Sequence, residues 1–383
     1  MPTFTRRITI CTLPLEIAVF FLMVAALAIY THTHKKSTAI SHFETNLENT
    51  TRSFDEHAAH YRTLLETIGP SAQDVLLSKL PATPRTHMLN HESGFYLFKT
   101  YGARGMSYCK NYFNGGCYHG FVEAALEEKG LGAIDEVVTA CKGERSIEQA
   151  RECTHGVGHA ILIARGYAHL DQAAAECRET FSDSDTAIED CDDGVFMENG
   201  FGGFSIPPED RWFKKDNPLY PCTDPRIAGD SIARKACLFL QTQGTLQVEK
   251  YPHLDGNISS VVSLCTALTD VLEQRYCYMG LARQVQARFV DNEHDIKTAC
   301  GLFPLERIPR CLTHAAESAY AFGNRETGVA LCLASEEPAF CFSLLNARIN
   351  STAEHTEKGR RAACRALPAP YVASCLGVVD DAR

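Results

Sequence analysis

Three short segments carry residues that could do chemistry. The segment from Cys117 to Glu123 reads Cys-x-His-Gly-x-x-Glu, with His119 and Glu123 four residues apart. The segment from Cys153 to His159 reads Cys-x-His-Gly-x-Gly-His, with His155 and His159 at the same two places. The segment from Cys191 begins Cys-x-Asp-Gly, with Asp193 at the first place and Glu198 one residue past the second. Side chains at i and i+4 of a helix share one face. Two ligands on one face converge on an ion without distorting the backbone, so His-x-x-x-His and His-x-x-x-Glu are workable metal pairs. The expected site is therefore His119, Glu123, His155, His159, Asp193 and Glu198, around one or two ions. A histidine and carboxylate set fits Zn, Fe or Mn better than a thiolate-seeking metal. One carboxylate, Glu123 or Glu198, would remain as the catalytic base.

The competing reading of each pair is a solvated helix face or a helix-stabilising contact. Against it stands the fading of the pattern. Later segments hold Phe239, Met279 and Thr313 at the first place, whereas a shared framework role should persist. At the second place, Gln243 and Arg283 are candidates for binding a polar or anionic substrate group. A Pro-rich insertion carries Trp212, the only tryptophan. It reads either as a lid at the site or as a loop pinned by one buried aromatic.

The register of these places comes from the cysteines. There are 17 in 383 residues, in a chain too long to need them for want of a core. With Cys11 set aside, the rest form eight neighbouring couples: 109/117, 141/153, 177/191, 222/237, 265/277, 300/311, 332/341 and 364/375. Their second members recur every 30 to 46 residues, a period of stacked helical hairpins. Between couples the chain reads as two helices with a glycine stop, such as Gly130 after the first helix, Gly166 in the next repeat and Gly323 further on. No segment alternates with period two. The fold class is all-α: disulfide-stapled helical-hairpin repeats forming a solenoid or ring, behind an N-terminal transmembrane helix. Pairing within couples uses all sixteen sulfurs and is preferred. The rival joins the two ends of one hairpin, Cys117 to Cys141 for example, and strands Cys109 with Cys375.

The segments EKGLGAIDEVVTAC (128–141, with Leu-Glu before it) and RGYAHLDQAAAEC (165–177) resemble the Sel-like repeat, a relative of the tetratricopeptide repeat. The resemblance extends in period over about 105–383, but in residues over two or three repeats. It implies an α-solenoid, disulfides from the end of one repeat to the start of the next, and most often a binding scaffold. The family's Leu-Gly-x-x-Tyr start is absent and the inter-cysteine loops are longer, so architecture carries over better than activity.

The N-terminus sets the compartment. Arg6 and Arg7 precede an apolar run from Ile17 to Tyr30, with Glu16 before it and THTHKK behind. The expected organisation is a cytoplasmic N-terminus (1–12), a transmembrane signal anchor (13–31), a helical stalk or linker (32–90) and the cysteine-rich repeat domain (91–383). A cleaved signal peptide with Ala26-Leu27-Ala28 as its site is the alternative. Either way the body lies in a periplasm or secretory lumen, where thiols oxidise. The net charge of −10 argues against nucleic acid as a partner. Phosphate loops, dinucleotide fingerprints and Gly-x-Ser-x-Gly are absent. The expected function is a membrane-anchored metal-dependent hydrolase or oxidoreductase. The alternative is a repeat scaffold that binds a protein or peptide partner.

Overall fold

The computed structural model describes residues 15–47, 53–70, 83–110, 112–144, 146–202, 210–290, 292–352 and 357–377. Cys11 lies outside them. Every regular element among these residues is helical, as the cysteine period and the absence of period-two alternation predict. The chain divides into two compact units, 1–69 and 70–383.

In the first unit, α1 (Leu15–Leu47) and α2 (Phe54–Ile68) pack as a helical pair. Ser53 and Glu56 close a capping box that starts α2, satisfying main-chain N–H groups that a helix start leaves open. Phe43 meets Tyr61 at a ring separation of 5.3 Å, and Ala58, Leu65 and Ile68 are buried beside them. Apolar residues of the two helices thus pack against each other. Among the described residues no helix is long and apolar enough to cross a membrane. The apolar stretch whose side chains are described runs from Phe20 to Tyr30, about 16 Å of helix against a hydrocarbon core of about 30 Å. The expected span over 13–31 begins outside these residues and is not established.

The second unit is a double row of helices. The first helix of each hairpin packs on the first helix of the next. In order these are α3 (Pro84–Tyr101), α4 (Gly116–Lys129), α6 (Ile147–Arg165), α8 (Asp185–Phe201), α10 (Ser231–Thr242), α12 (Val271–Phe289), α14 (Ile308–Ala321) and α16 (Pro338–Thr352). Their partners form the second row: α5 (Ile134–Lys142), α7 (Leu170–Thr180), the short α9 (Pro225–Ala228), α11 (Ile258–Thr266), α13 (Glu293–Cys300), α15 (Arg325–Ala334), α17 (Glu357–Arg365) and α18 (Ala369–Gly377). The expected boundary near residue 90 falls inside α3. That helix packs along α4, so the division lies at Gly69 instead. Gly130 and Gly166 take φ of +66° and +84° and end α4 and α6, a conformation open to glycine at no steric cost.

Eight disulfides join neighbouring couples, with Cα–Cα distances of 5.3–5.7 Å. The pairing within couples holds, and the rival pairing is excluded. Five of them fasten the end of one hairpin to the first helix of the next, as Cys141 on α5 does to Cys153 on α6 and Cys177 on α7 does to Cys191 on α8. Loops this short contribute about 2.5–3 kcal/mol each in a chain-entropy model. The framework indicates an oxidising, extracytoplasmic compartment.

Glycines set the distance within the first row. A Cβ on Gly120 would lie 2.0 Å from the His91 carbonyl oxygen, and one on Gly94 would lie 2.1 Å from that of Cys117. The same contact recurs between α6 and α8, where Gly194 meets the His155 carbonyl at 2.0 Å and Gly158 meets that of Cys191 at 1.9 Å. These helices touch backbone to backbone. A Gly194→Ala substitution must therefore push α6 and α8 apart. It should destabilise the protein by about 1–3 kcal/mol, read as a fall in denaturation midpoint. A midpoint unchanged within error would show that the contact is slack.

Candidate metal centre

His155 and His159 stand on α6, one turn apart, and their Nε2 atoms are 3.1 Å from each other. The other nitrogen of His159, Nδ1, lies 2.8 Å from the Glu198 carboxylate on α8. A carboxylate only accepts, so Nδ1 carries a proton. His155 also hydrogen-bonds the main chain of Asp190. Two imidazole nitrogens thus face each other inside the protein. Two bare acceptors at this distance repel unless a proton or a cation lies between them.

The same arrangement occurs one helix pair earlier. His87 and His91 stand one turn apart on α3, with Nε2 atoms 3.1 Å from each other. Nδ1 of His87 donates to the Phe113 carbonyl at 2.6 Å, and Nδ1 of His91 faces the Glu123 carboxylate on α4 at 3.3 Å. Phe113 and Asn114 both adopt left-handed backbone, with φ of +51° and +53°. Non-glycine residues do so at a cost, and here the turn presents the carbonyl that orients His87. Asn90 holds the same turn through the Tyr112 carbonyl at 3.0 Å.

His119 on α4 stands between the two pairs. Its ring centroid is 5.2 and 5.3 Å from those of His87 and His91, and 5.1 and 4.9 Å from those of His155 and His159. It is 2% exposed, and neither ring nitrogen has a hydrogen-bond partner among the described residues. Ligand atoms of His87, His91 and His119 all lie within 4.8 Å of one another, as do those of His119, His155 and His159. These buried clusters have the donors and the spacing to hold a metal ion.

Electrostatics follow from the burial. Burial, and then the neighbouring histidines, hold His119 and His155 well below the ordinary histidine value. Burial and the nearby His91 bring His87 down to about 3. These rings are neutral ligands at physiological pH. Burial acts against a charge on His91 too, but the Glu123 carboxylate outweighs it and raises the pKa. Glu123 is lowered in return, its own burial overcome by His91. Tyr167 donates to the second oxygen of Glu198, so that carboxylate is held from both sides. Burial and the Glu198 charge push the phenol up.

Of the residues expected from sequence, His119, His155 and His159 come together. Glu123 and Glu198 are close, but each binds the outer nitrogen of a histidine rather than pointing with the ligands. They orient imidazoles, as partners behind metal-ligating histidines do, and neither is a free base. Asp193 does not join the histidines. It lies among acids, with burial, Glu189 and Asp190 pushing its carboxyl well above the usual range and Arg283 offsetting part of this. Arg283 itself is spent on Glu317 at 3.4 Å and on the Phe239 ring at 4.7 Å. Gln243 donates back to the Phe239 carbonyl of its own helix at 3.3 Å. Trp212 is pinned, its indole N–H donating to the Ala168 carbonyl at 3.1 Å and its backbone N–H and carbonyl both held by Asn199 at 3.2 Å. The residues that sequence reasoning missed are His87 and His91. Their signal is the i, i+4 spacing, identical to that of His155 and His159.

The orienting role of Glu198 has a measurable consequence. Glu198→Gln should weaken metal binding by about 10–100-fold while helix content stays the same, as read by competition with a chromophoric chelator. A change under threefold would remove Glu198 from the centre. No family model, curated protein or solved structure matches this chain.

Proposed function

We propose that the protein is an extracytoplasmic metal-dependent protein, with a transition-metal ion held by His119, His155 and His159. The observation that carries this reading is the pair of opposed Nε2 atoms, 3.1 Å apart, with the outer nitrogen of His159 tied to Glu198 and His155 hydrogen-bonded to the main chain of Asp190. That is the arrangement of a chelate prepared for a cation. The inner donors are all imidazole, which favours Cu(II) or Zn(II) over the oxygen-seeking Mn(II). This keeps zinc from the set expected from sequence, adds copper and sets manganese aside. The ion would supply Lewis-acid or redox chemistry, and the reading extends to a hydrolase or an oxidoreductase. The protein's own part is to fix the rings by their outer nitrogens and to keep the centre buried.

The proposal includes membrane attachment through the N-terminal segment. Apolar side chains from Phe20 to Tyr30 are about half to two-thirds exposed on α1, which is costly in water and favourable in lipid. It also includes kinship in architecture with Sel-like repeats, supported by the hairpin plan and the junction disulfides.

Metal analysis of the full chain, purified in detergent from an oxidising host without chelator, tests the proposal. At least one equivalent of bound transition metal is expected, or uptake of one on adding Zn(II) or Cu(II). Less than a tenth of an equivalent, with no uptake, would overturn it.

A further inference from the structure

The first triad uses three of the five clustered histidines. His87, His91 and Glu123 repeat the plan of His155, His159 and Glu198 in every respect that bears on coordination. Each pair sits one turn apart on a first-row helix, with Nε2 atoms facing at 3.1 Å. Each has one ring hydrogen-bonded to the main chain and the other to a carboxylate from the next first-row helix. The glycine contacts that draw α3 to α4 and α6 to α8 also match.

One ion cannot use all five rings well. Ligand bonds are near 2 Å, so the nitrogens around a single ion lie within about 4 Å of one another. The ligand atoms here separate into two sets of three that share only His119. His119 has two ring nitrogens, both buried and both without a hydrogen-bond partner among the described residues. A buried, wholly unpartnered imidazole is costly to keep, and one that serves two ions has a use for both nitrogens.

We infer that His87, His91 and His119 form a second metal position, and that the His119 ring bridges it to the first. The inference rests on the metal reading proposed above. Each ion takes one chelating histidine pair and one nitrogen of His119. Neutral imidazole bears one N–H, so filling both nitrogens replaces that N–H bond by a metal–nitrogen bond and releases one proton to solvent. No electron is transferred. The two ions sit about 6 Å apart, from two bonds near 2 Å and the width of the ring. Such a bridge couples the spins of two Cu(II) ions.

The test is a titration of the full-length, metal-stripped protein with Cu(II), followed by dialysis, metal analysis and electron paramagnetic resonance. Two equivalents are expected. The signal of isolated Cu(II) should rise with the first and fall by more than half with the second, as the pair couples. His87→Ala with His91→Ala should bind one equivalent and keep the isolated signal. His119→Gln, which keeps the volume of the ring, should leave any bound copper uncoupled. One equivalent in the wild-type protein, unaffected by losing His87 and His91, would overturn this inference and leave the single-metal reading standing. Two equivalents without coupling would overturn the bridge. No bound copper in the wild-type protein would overturn both.

Discussion

Replacing His155 and His159 together by alanine is expected to weaken the first equivalent of Zn(II) by well over 100-fold. The figure follows from the outer partners, whose loss alone costs about 10–100-fold. Losing two of three ligands must cost more. Chelator competition measures it, and a change below tenfold would place the ion elsewhere. The fold should survive. Both side chains sit on a helix with an N-cap at Ser146 and a disulfide at Cys153, and alanine is the best helix former. Removing His155 also removes a ring that burial keeps neutral. The metal-free variant should therefore be less sensitive to acid than the metal-free parent.

The acid response of that parent is the second large effect. His87, His119 and His155 all have folded pKa values below the ordinary 6.5. Below pH 6.5 the unfolded chain takes up protons that these rings refuse in the fold, so stability falls with falling pH. Each group contributes about 1.4 kcal/mol per pH unit, beginning near 6.5 and, for His87, ending near its folded value of about 3. His91 has the opposite sign. Its raised pKa contributes stability that is complete below 6.5 and is lost as pH rises through the folded value. It therefore adds no slope in the acid window. Glu123, lowered in the fold, contributes stability above 4.5 that disappears as pH falls further. The three rings thus draw the denaturant midpoint of the metal-free protein down between pH 6.5 and pH 4.5, against Asp192 and Asp193, whose raised carboxyls pull the other way. Bound metal should flatten the upper part of the curve until protons displace it. A midpoint level across this window would contradict neutral burial of the three rings.

Much of the second unit was legible because a disulfide makes distance visible in sequence. Cys141 and Cys153 can bond only if the helices carrying them meet, so cysteine spacing revealed the hairpins and aligned His119 with His155. The same device concealed His87 and His91. Their helix carries no cysteine, and Arg85 stands where one would be. The roles of Glu123 and Glu198 were hidden for another reason. Spacing of four tells which residues share a face, but not what the neighbouring helix presents to that face. His91 is 32 residues from Glu123 and His159 is 39 from Glu198. The pairing of Arg283 was hidden in the same way, since Glu317 is 34 residues away. The transmembrane expectation stands apart, since its first residues are not among those described.

The glycine contacts carry a further consequence for which ions the protein accepts. Most binding sites adjust by turning side chains, at little cost. Here the bite between ligands on neighbouring helices is set where Gly94, Gly120, Gly158 and Gly194 meet carbonyl oxygens, and backbone in contact cannot move closer. His87, His91 and His159 are also anchored at their far nitrogens. A larger ion must spread the helices against the disulfides, while a smaller one must leave its bonds stretched. Discrimination between metals of similar affinity would then come from the stiffness of the scaffold rather than from the identity of the donors.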